Sequence, residues 1–325
     1  MRMEKKNKSL WKITIAVIIS IISVVFIVYR LSIIPQDKIY EITPVFSTPS
    51  HLLLLLLVAI LMAGNWAMEV MKWRLLLKPR LKLPVGRAVA SVISGISLGA
   101  VTPNRIGEFA GRIFFLKNED KIFGTAASFT GGLAQNIVTI FTGLICMIFY
   151  IMIFEHEIIV HQPIFFYLVF ILSIVLIILL MLVYLNLSYF LDKISHWRWV
   201  RKLEAYLPHT ADWSSADLGL VFVFSFIRYS VFSLQYLLLL YIFGIDIPFT
   251  EQMIKIGLIF MLTSFIPSYS VSDIANRGGV SMAVFNNPSM DLAVAAASIT
   301  LWIINLAIPG LLGNIFLIKE SRNSK

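Results

Sequence analysis

Long apolar runs, broken at intervals by short clusters of charge, set the plan of this chain. Five windows are apolar over a length able to cross about 30 Å of hydrocarbon as a helix, which takes about 20 residues. They lie over 13–28, 51–71, 123–154, 164–185 and 218–243. A sixth, over 292–318, carries Pro309 and Gly310 inside it but keeps the length to cross. Two further stretches, 87–101 and 250–265, are short for a span, and each runs into a proline, Pro103 or Pro267. After each break comes another short helical stretch, 106–116 and 273–285. Non-helical backbone at membrane depth is tolerated only against protein or a wet cavity, so both are read as re-entrant hairpins.

The charges order these elements. Arg2, Lys5, Lys6 and Lys8 precede the first window; Lys72, Arg74, Lys78, Arg80 and Lys82 follow the second. Lys193, Arg198, Arg201 and Lys202 follow the fourth, and Lys319, Arg322 and Lys325 end the chain. Intervening loops lack a positive excess, so the positive-inside rule puts both termini in the cytoplasm. Lys117 and Lys121 must then share a side with Lys82, which requires the first hairpin to return to the side it left. Residues 1–157 give two spans, a hairpin over 87–117 and a third span. Residues 158–325 repeat the series upside down, with a hairpin over 250–286. Ala126-Ala127-Ser128 after the first hairpin and Ala296-Ala297-Ser298 after the second are a trace of duplication. The expected fold is an all-α polytopic membrane protein: six transmembrane helices plus two re-entrant hairpins in an inverted-topology repeat, a plan common in secondary transporters.

Composition supports this and removes alternatives. Of 325 residues, 58% are hydrophobic and only 14% charged, more apolar sequence than a soluble domain can hide. A net charge of +9 would point to nucleic acid in a soluble protein; here it belongs to loops beside anionic lipid headgroups. Cys146 is the single cysteine, so neither a disulfide framework nor a thiolate metal site is expected. The basic N-terminus and its apolar run read as a retained first helix, because no small-residue cleavage site follows. The polar connection over 186–217, with Trp197 and Trp199, reads as an interfacial segment too short to be a catalytic domain.

The candidate chemistry sits at the two breaks. Thr102-Pro103-Asn104-Arg105 interrupts the first hairpin, and Glu108 follows three residues after Arg105 and four before Arg112, so the three share one helix face. Thr102 can cap a helix with Pro103 in its first turn, aiming a positive helix end at a phosphate or carboxylate. A self-satisfied ion-pair ladder that locks the hairpin is the competing reading. Gly95/Gly99 and Gly107/Gly111 have the spacing that lets helices approach closely, which packing alone explains. Past Pro267, Ser270, Ser272 and Asp273 can cap the return helix, and Arg277 stands one turn beyond Asp273. Ionisable groups near a bilayer centre cost roughly 2.5–3.5 kcal/mol each on insertion scales, so each needs a partner or a use. Arg228 therefore calls for a carboxylate, with Asp273 and Glu108 as the candidates, and Gln235 lies two turns on along nearly the same face. Gln135 and Asn136 line the same region or bond between helices. Glu69 and Lys72, beside Trp73, read as a local pair at the cytoplasmic end of their span. His156 and His161 flank Glu157 too loosely for a metal site, and no cofactor, phosphate-binding glycine loop or nucleophile elbow is found.

At these residues the chain resembles the transmembrane, flippase-like domain of bacterial lysylphosphatidylglycerol synthases, including its stand-alone members. The resemblance rests on Pro103, Arg105, Gly107 and Glu108, on 65–73 (NWAMEVMKW), on 228–236 (RYSVFSLQY), and on the second break before Arg277. It departs from many relatives in the second loop, Ser-Tyr-Ser-Val-Ser, and in Gly278 after Arg277 where Arg-Glu is usual. It implies a lipid flippase without enzymatic activity. The family's soluble aminoacyl-transferase domain has no counterpart in these residues, so lysyl transfer is not expected of them. Arg105, Arg112, Arg228 and Arg277 would receive an anionic or phosphate-bearing lipid headgroup, with Glu108, Gln235 and Asp273 around them. The alternative is a membrane scaffold serving a separately encoded lipid-modifying or glycosyl-transferring enzyme. Lipid, direction, coupling ion and oligomeric state stay open.

Overall fold

The computed structural model describes residues 48–100, 102, 105–154, 163–186, 213–267 and 270–323. The expected first span over 13–28, His156, His161, Pro103, Asn104 and most of the 186–217 connection lie outside them. The described chain is α-helical. In order it runs through α1 (Pro49–Leu77), α2 (Val85–Ala100), α3 (Gly107–Ile113), α4 (Lys121–Phe154) and α5 (Pro163–Leu185). It continues through α6 (Ser215–Ile242), α7 (Phe249–Phe265), α8 (Ser270–Phe285), α9 (Asp291–Trp302), a π-helical turn (Ile303–Ala307) and α10 (Ile308–Asn323). Four segments, Pro49–Leu77, Asn118–Phe154, Ser215–Ile242 and Asp291–Arg322, are long and apolar enough to cross a membrane. The 23-residue α5 presents leucines and isoleucines outward around much of its circumference, as a helix bathed in lipid does.

The sequence explains most of the boundaries. Proline opens α1 at its first position, where a missing N–H costs nothing. Ser214 and Asp217 close a capping box at the start of α6. Gly244, at φ 78°, ends that helix with its own N–H bonded to Tyr241 O and the next N–H to Leu240 O. α7 stops because Ile266, preceding Pro267, is held extended, and Asn286 at φ 48° turns the chain out of α8. The break in the last long helix falls before Pro309, not at it. Pro309 can donate no N–H to residue 305, and the π turn over 303–307 absorbs that loss without ending the helix.

α2 and α7 have 16 and 17 residues, so at 1.5 Å per residue they reach only about 24–26 Å. Each turns back on a partner, α2 on α3 and α7 on α8. In the first pair a Cβ on Gly111 would fall 2.6 Å from Gly95 Cα, so the expected close approach lies between the two arms of one hairpin. At the base of each pair, a cation from the entering arm donates to a carbonyl ending the returning arm. Arg87 Nη2 bonds Phe115 O at 3.0 Å, and Lys255 Nζ bonds Phe285 O at 3.3 Å.

Between these pairs the packing is reciprocal. α1 lies along α6, α2 packs on α10, and α7 packs on α4. Glycine permits both outer seams: a Cβ on Gly313 would strike the Ile93 carbonyl of α2, and one on Gly143 the Met261 side chain of α7. Ser94 Oγ donates to Gly313 O at 3.3 Å, and Ser97 Oγ bonds Asn314 Oδ1, on the α2–α10 seam. One apolar cluster gathers around Trp73, Ile96 and Phe123, a second around Tyr236, Ile256 and Val294. Polar groups of the interior touch both, Arg112 stacking over Trp73 of the first and Tyr236 of the second donating to Ser281.

Candidate functional site

Two polar assemblies occupy this region. The first is at the hairpin tips. α3 begins at Gly107, later than a cap at Thr102 with Pro103 in the first turn would place it, and it is seven residues long. Thr102 still serves that end from five residues away: its Oγ1 accepts from Gly107 N at 2.7 Å and donates to Leu98 O at 2.9 Å. A helix this short makes no anion site by its dipole, so anion recognition here falls to side chains. Arg105 sits at φ 56°, a conformation uncommon for a residue with a Cβ, and pairs with Glu108. In the second tip Arg277 Nε donates to Asp273 Oδ2 at 3.0 Å, and Trp302 Nε1 donates to the same oxygen at 3.1 Å.

Arg105 borders two adjoining cavities. One is lined by Gly99, Thr102, Arg105, Asp273 and Trp302 among others. The other has Arg105 and Arg277 in its wall with Phe232, Tyr236, Phe260, Trp302 and Asn305. An arginine from each hairpin thus faces one aromatic-walled space, a setting in which guanidinium groups can fork onto phosphate oxygens.

The second assembly is buried beneath the first hairpin. Glu69, 2% exposed, holds three cations. Its Oε1 takes Arg112 Nη1 at 2.7 Å; its Oε2 takes Lys72 Nζ at 2.8 Å and Arg228 Nη1. Arg228 Nε also donates to Asn65 Oδ1 at 2.7 Å, and Lys72 Nζ to Gly131 O at 3.1 Å. The guanidinium groups of Arg112 and Arg228 stack over Trp73 and Trp66, at 5.7 and 5.2 Å. The hub therefore ties together α1, α3, α4 and α6. Arg112 Nη2 lies 3.7 Å from Glu108, which links the two assemblies. Counted formally, five cations (Lys72, Arg105, Arg112, Arg228, Arg277) meet three carboxylates (Glu69, Glu108, Asp273), an excess of positive charge in the interior.

The expected ladder of Arg105, Glu108 and Arg112 is present, as is the Asp273–Arg277 turn. Arg105, Asp273, Arg277 and Thr102 border the cavities. Other expectations need correction. The carboxylate for Arg228 is Glu69, not Asp273 or Glu108, because α6 lies along α1 and presents Arg228 there. Glu69 and Lys72 do form a pair one turn apart, yet they are a buried junction and not a local pair at a helix end. Gln235 does not join the arginines; its Nε2 donates to Val58 O at 2.8 Å. Gln135 bonds between helices, to Ser225 O at 3.3 Å and from Arg228 Nη1 at 3.4 Å, while Asn136 is exposed. The signal for Glu69 was its charge in an apolar run; what hid its role was a carboxylate and a lysine one turn apart, which already looked satisfied.

The family model described as the lysylphosphatidylglycerol synthase TM region matches residues 11–313. No curated protein and no solved structure matches the chain.

Proposed function

Taking as premise that the chain belongs to the family of lysylphosphatidylglycerol synthase TM regions, we propose that it moves an anionic or phosphate-bearing lipid across the bacterial inner membrane. In this reading Arg105 and Arg277 receive the headgroup, Glu108 and Asp273 hold them in place until it arrives, and the role is binding and translocation, with no bond made or broken. The observation that carries it is the convergence of two arginines, one from each hairpin, on one aromatic-walled cavity. Arginines already paired to carboxylates exchange one anion for another at lower cost than bare cations could be buried.

The proposal includes an architecture: six spans and two re-entrant hairpins, residues 1–157 and 158–325 forming inverted repeats, with both termini cytoplasmic. Its support is a constant register. The 170-residue offset that relates Ala126 to Ala296 also relates Gly143 to Gly313, each the close-packed glycine of an outer seam. It relates Phe115 to Phe285, whose carbonyls take the bonds from Arg87 and Lys255, although those two donors are themselves 168 positions apart. It also relates Val58 to Arg228 and Asn65 to Gln235. The positions joined by the Arg228–Asn65 bond therefore map onto those joined by Gln235 and Val58, as a two-fold relation between α1 and α6 would require. Alternating access would rock one repeat against the other about that axis.

The test is transport of a fluorescent anionic phospholipid in proteoliposomes. Arg105→Gln and Arg277→Gln are expected to cut the rate at least tenfold while the protein still folds; folded variants with unchanged rates would sink the proposal. The buried hub favours a second reading, a scaffold for a membrane-bound lipid-modifying enzyme in which every charge is a lock. That reading requires the tip variants to lose folded yield in step with activity.

A further inference from the structure

Asn305 is in the π turn, 1% exposed, on the wall of the cavity that Arg105 and Arg277 share. Its Nδ2 donates to Leu301 O at 3.1 Å. A carbonyl only accepts, so this bond fixes which way the amide is turned and leaves Oδ1 for the other side. Oδ1 is buried and receives no hydrogen bond from any described residue. A buried acceptor left without a donor is costly, and the residue that carries it lines a cavity bordered by two arginines. The turn that carries it is the one place where the last long helix departs from α geometry, and such π segments often occur at functional sites.

We infer that Asn305 is a specificity-determining residue: its Oδ1 accepts a hydrogen bond from a hydroxyl on the headgroup whose phosphate the two arginines hold. This rests on the lipid-binding reading above and deepens it. A neutral amide oxygen suits a neutral O–H; an ammonium group would find the Asp273 carboxylate, on the adjoining cavity's wall, a better partner. The cavity then prefers a phosphodiester with a hydroxylated headgroup over one of equal charge with none. A site built to bond a hydroxyl leaves its own polar group unpaired when the hydroxyl is missing.

Phosphatidylglycerol and phosphatidylethanol of matched acyl chains supply the comparison, since each carries one negative charge and only the first has headgroup hydroxyls. The full chain is equilibrated in nanodiscs holding equal amounts of both, and the retained lipid is weighed by native mass spectrometry. The wild-type protein is expected to retain phosphatidylglycerol about five- to tenfold over phosphatidylethanol, the worth of roughly one hydrogen bond. Asn305→Leu brings the ratio to about one and leaves phosphatidylethanol retention unchanged. Asn305→Asp keeps an acceptor oxygen, so it preserves the ratio while lowering retention of both lipids; it also decides the matter if the leucine variant does not fold. Arg277→Gln lowers both lipids alike and leaves the ratio. A wild-type ratio near one, a leucine variant that keeps the preference, or an aspartate variant that loses it overturns the assignment of Asn305. The same holds if phosphatidylethanolamine displaces phosphatidylglycerol. If instead Asn305→Leu abolishes the ratio while Arg105→Gln and Arg277→Gln change nothing, the arginine reading falls and Asn305 stands.

Discussion

The hub around Glu69 and the tips around Arg105 and Arg277 are made of the same parts, arginines held by carboxylates, and differ in access. At the hub the side chains of Glu69, Arg112 and Arg228 are 3%, 8% and 9% exposed; at the tips those of Arg105 and Arg277 are 36% and 29% exposed. A buried pair broken on one side leaves an uncompensated charge in low dielectric, whereas a half-exposed pair can trade its partner for water or for a ligand. The hub is therefore suited to hold helices together, and the tips to exchange partners. Chemical composition alone would rank the two as equal candidates for a binding site.

The largest effect expected is at the hub. Glu69→Gln strands three buried cations and is predicted to destabilise the fold by about 3–5 kcal/mol, read as a sharply lowered melting temperature or lost yield in detergent. A Glu69→Gln protein as stable as the wild type would erase the distinction between the two regions. Next comes the seam beside the tips. Gly313→Ala drives a Cβ into the Ile93 backbone and should cost about 1–3 kcal/mol. Gly143→Ala brings its Cβ to 2.2 Å from Met261 Cβ, an atom fixed by the α7 backbone, and should cost a similar amount; a much smaller loss would argue that the α4–α7 seam yields more readily. At the tips, Arg105→Gln and Arg277→Gln should change stability by no more than about 1 kcal/mol while lowering lipid transport at least tenfold. The smallest effect is Asn136→Ala on the exposed face of α4, expected to leave both melting temperature and transport at wild-type values.

Periodicity and proline placement make the helices legible in the sequence. The windows over 51–71, 123–154, 164–185 and 292–318 fall within described helical segments and that over 218–243 runs one residue past Ile242, while Pro103 and Pro267 stand in the sequence between the arms that turn back. Local spacing also fixed the short-range pairs: Arg105 with Glu108, Asp273 with Arg277, and Glu69 with Lys72. These are one-turn contacts on a single helix or at its end, so backbone geometry decides them wherever the helix packs. The π turn is a partial case, since Pro309 foretold a disturbance but not that it would be absorbed ahead of the proline.

What spacing could not supply is every partner reached across helices. Arg228 and Glu69 are 159 residues apart, and nothing along the sequence prefers Glu69 over Glu108 or Asp273 as its counter-charge. That choice belongs to the crossing of α1 and α6, which brings one helix face against another and buries whatever charges lie on it. The same crossing turned Gln235 toward Val58 and away from the arginines. Convergence of Arg105 and Arg277 on one cavity likewise depends on how the two hairpins meet. The chain by itself thus determined its helices, its breaks and the groups that sit at them, because those follow from the cost of unpaired backbone and charge in hydrocarbon. Which of those groups are buried as a junction and which are left open to a ligand was decided by tertiary packing alone, through the solvent access it left to each.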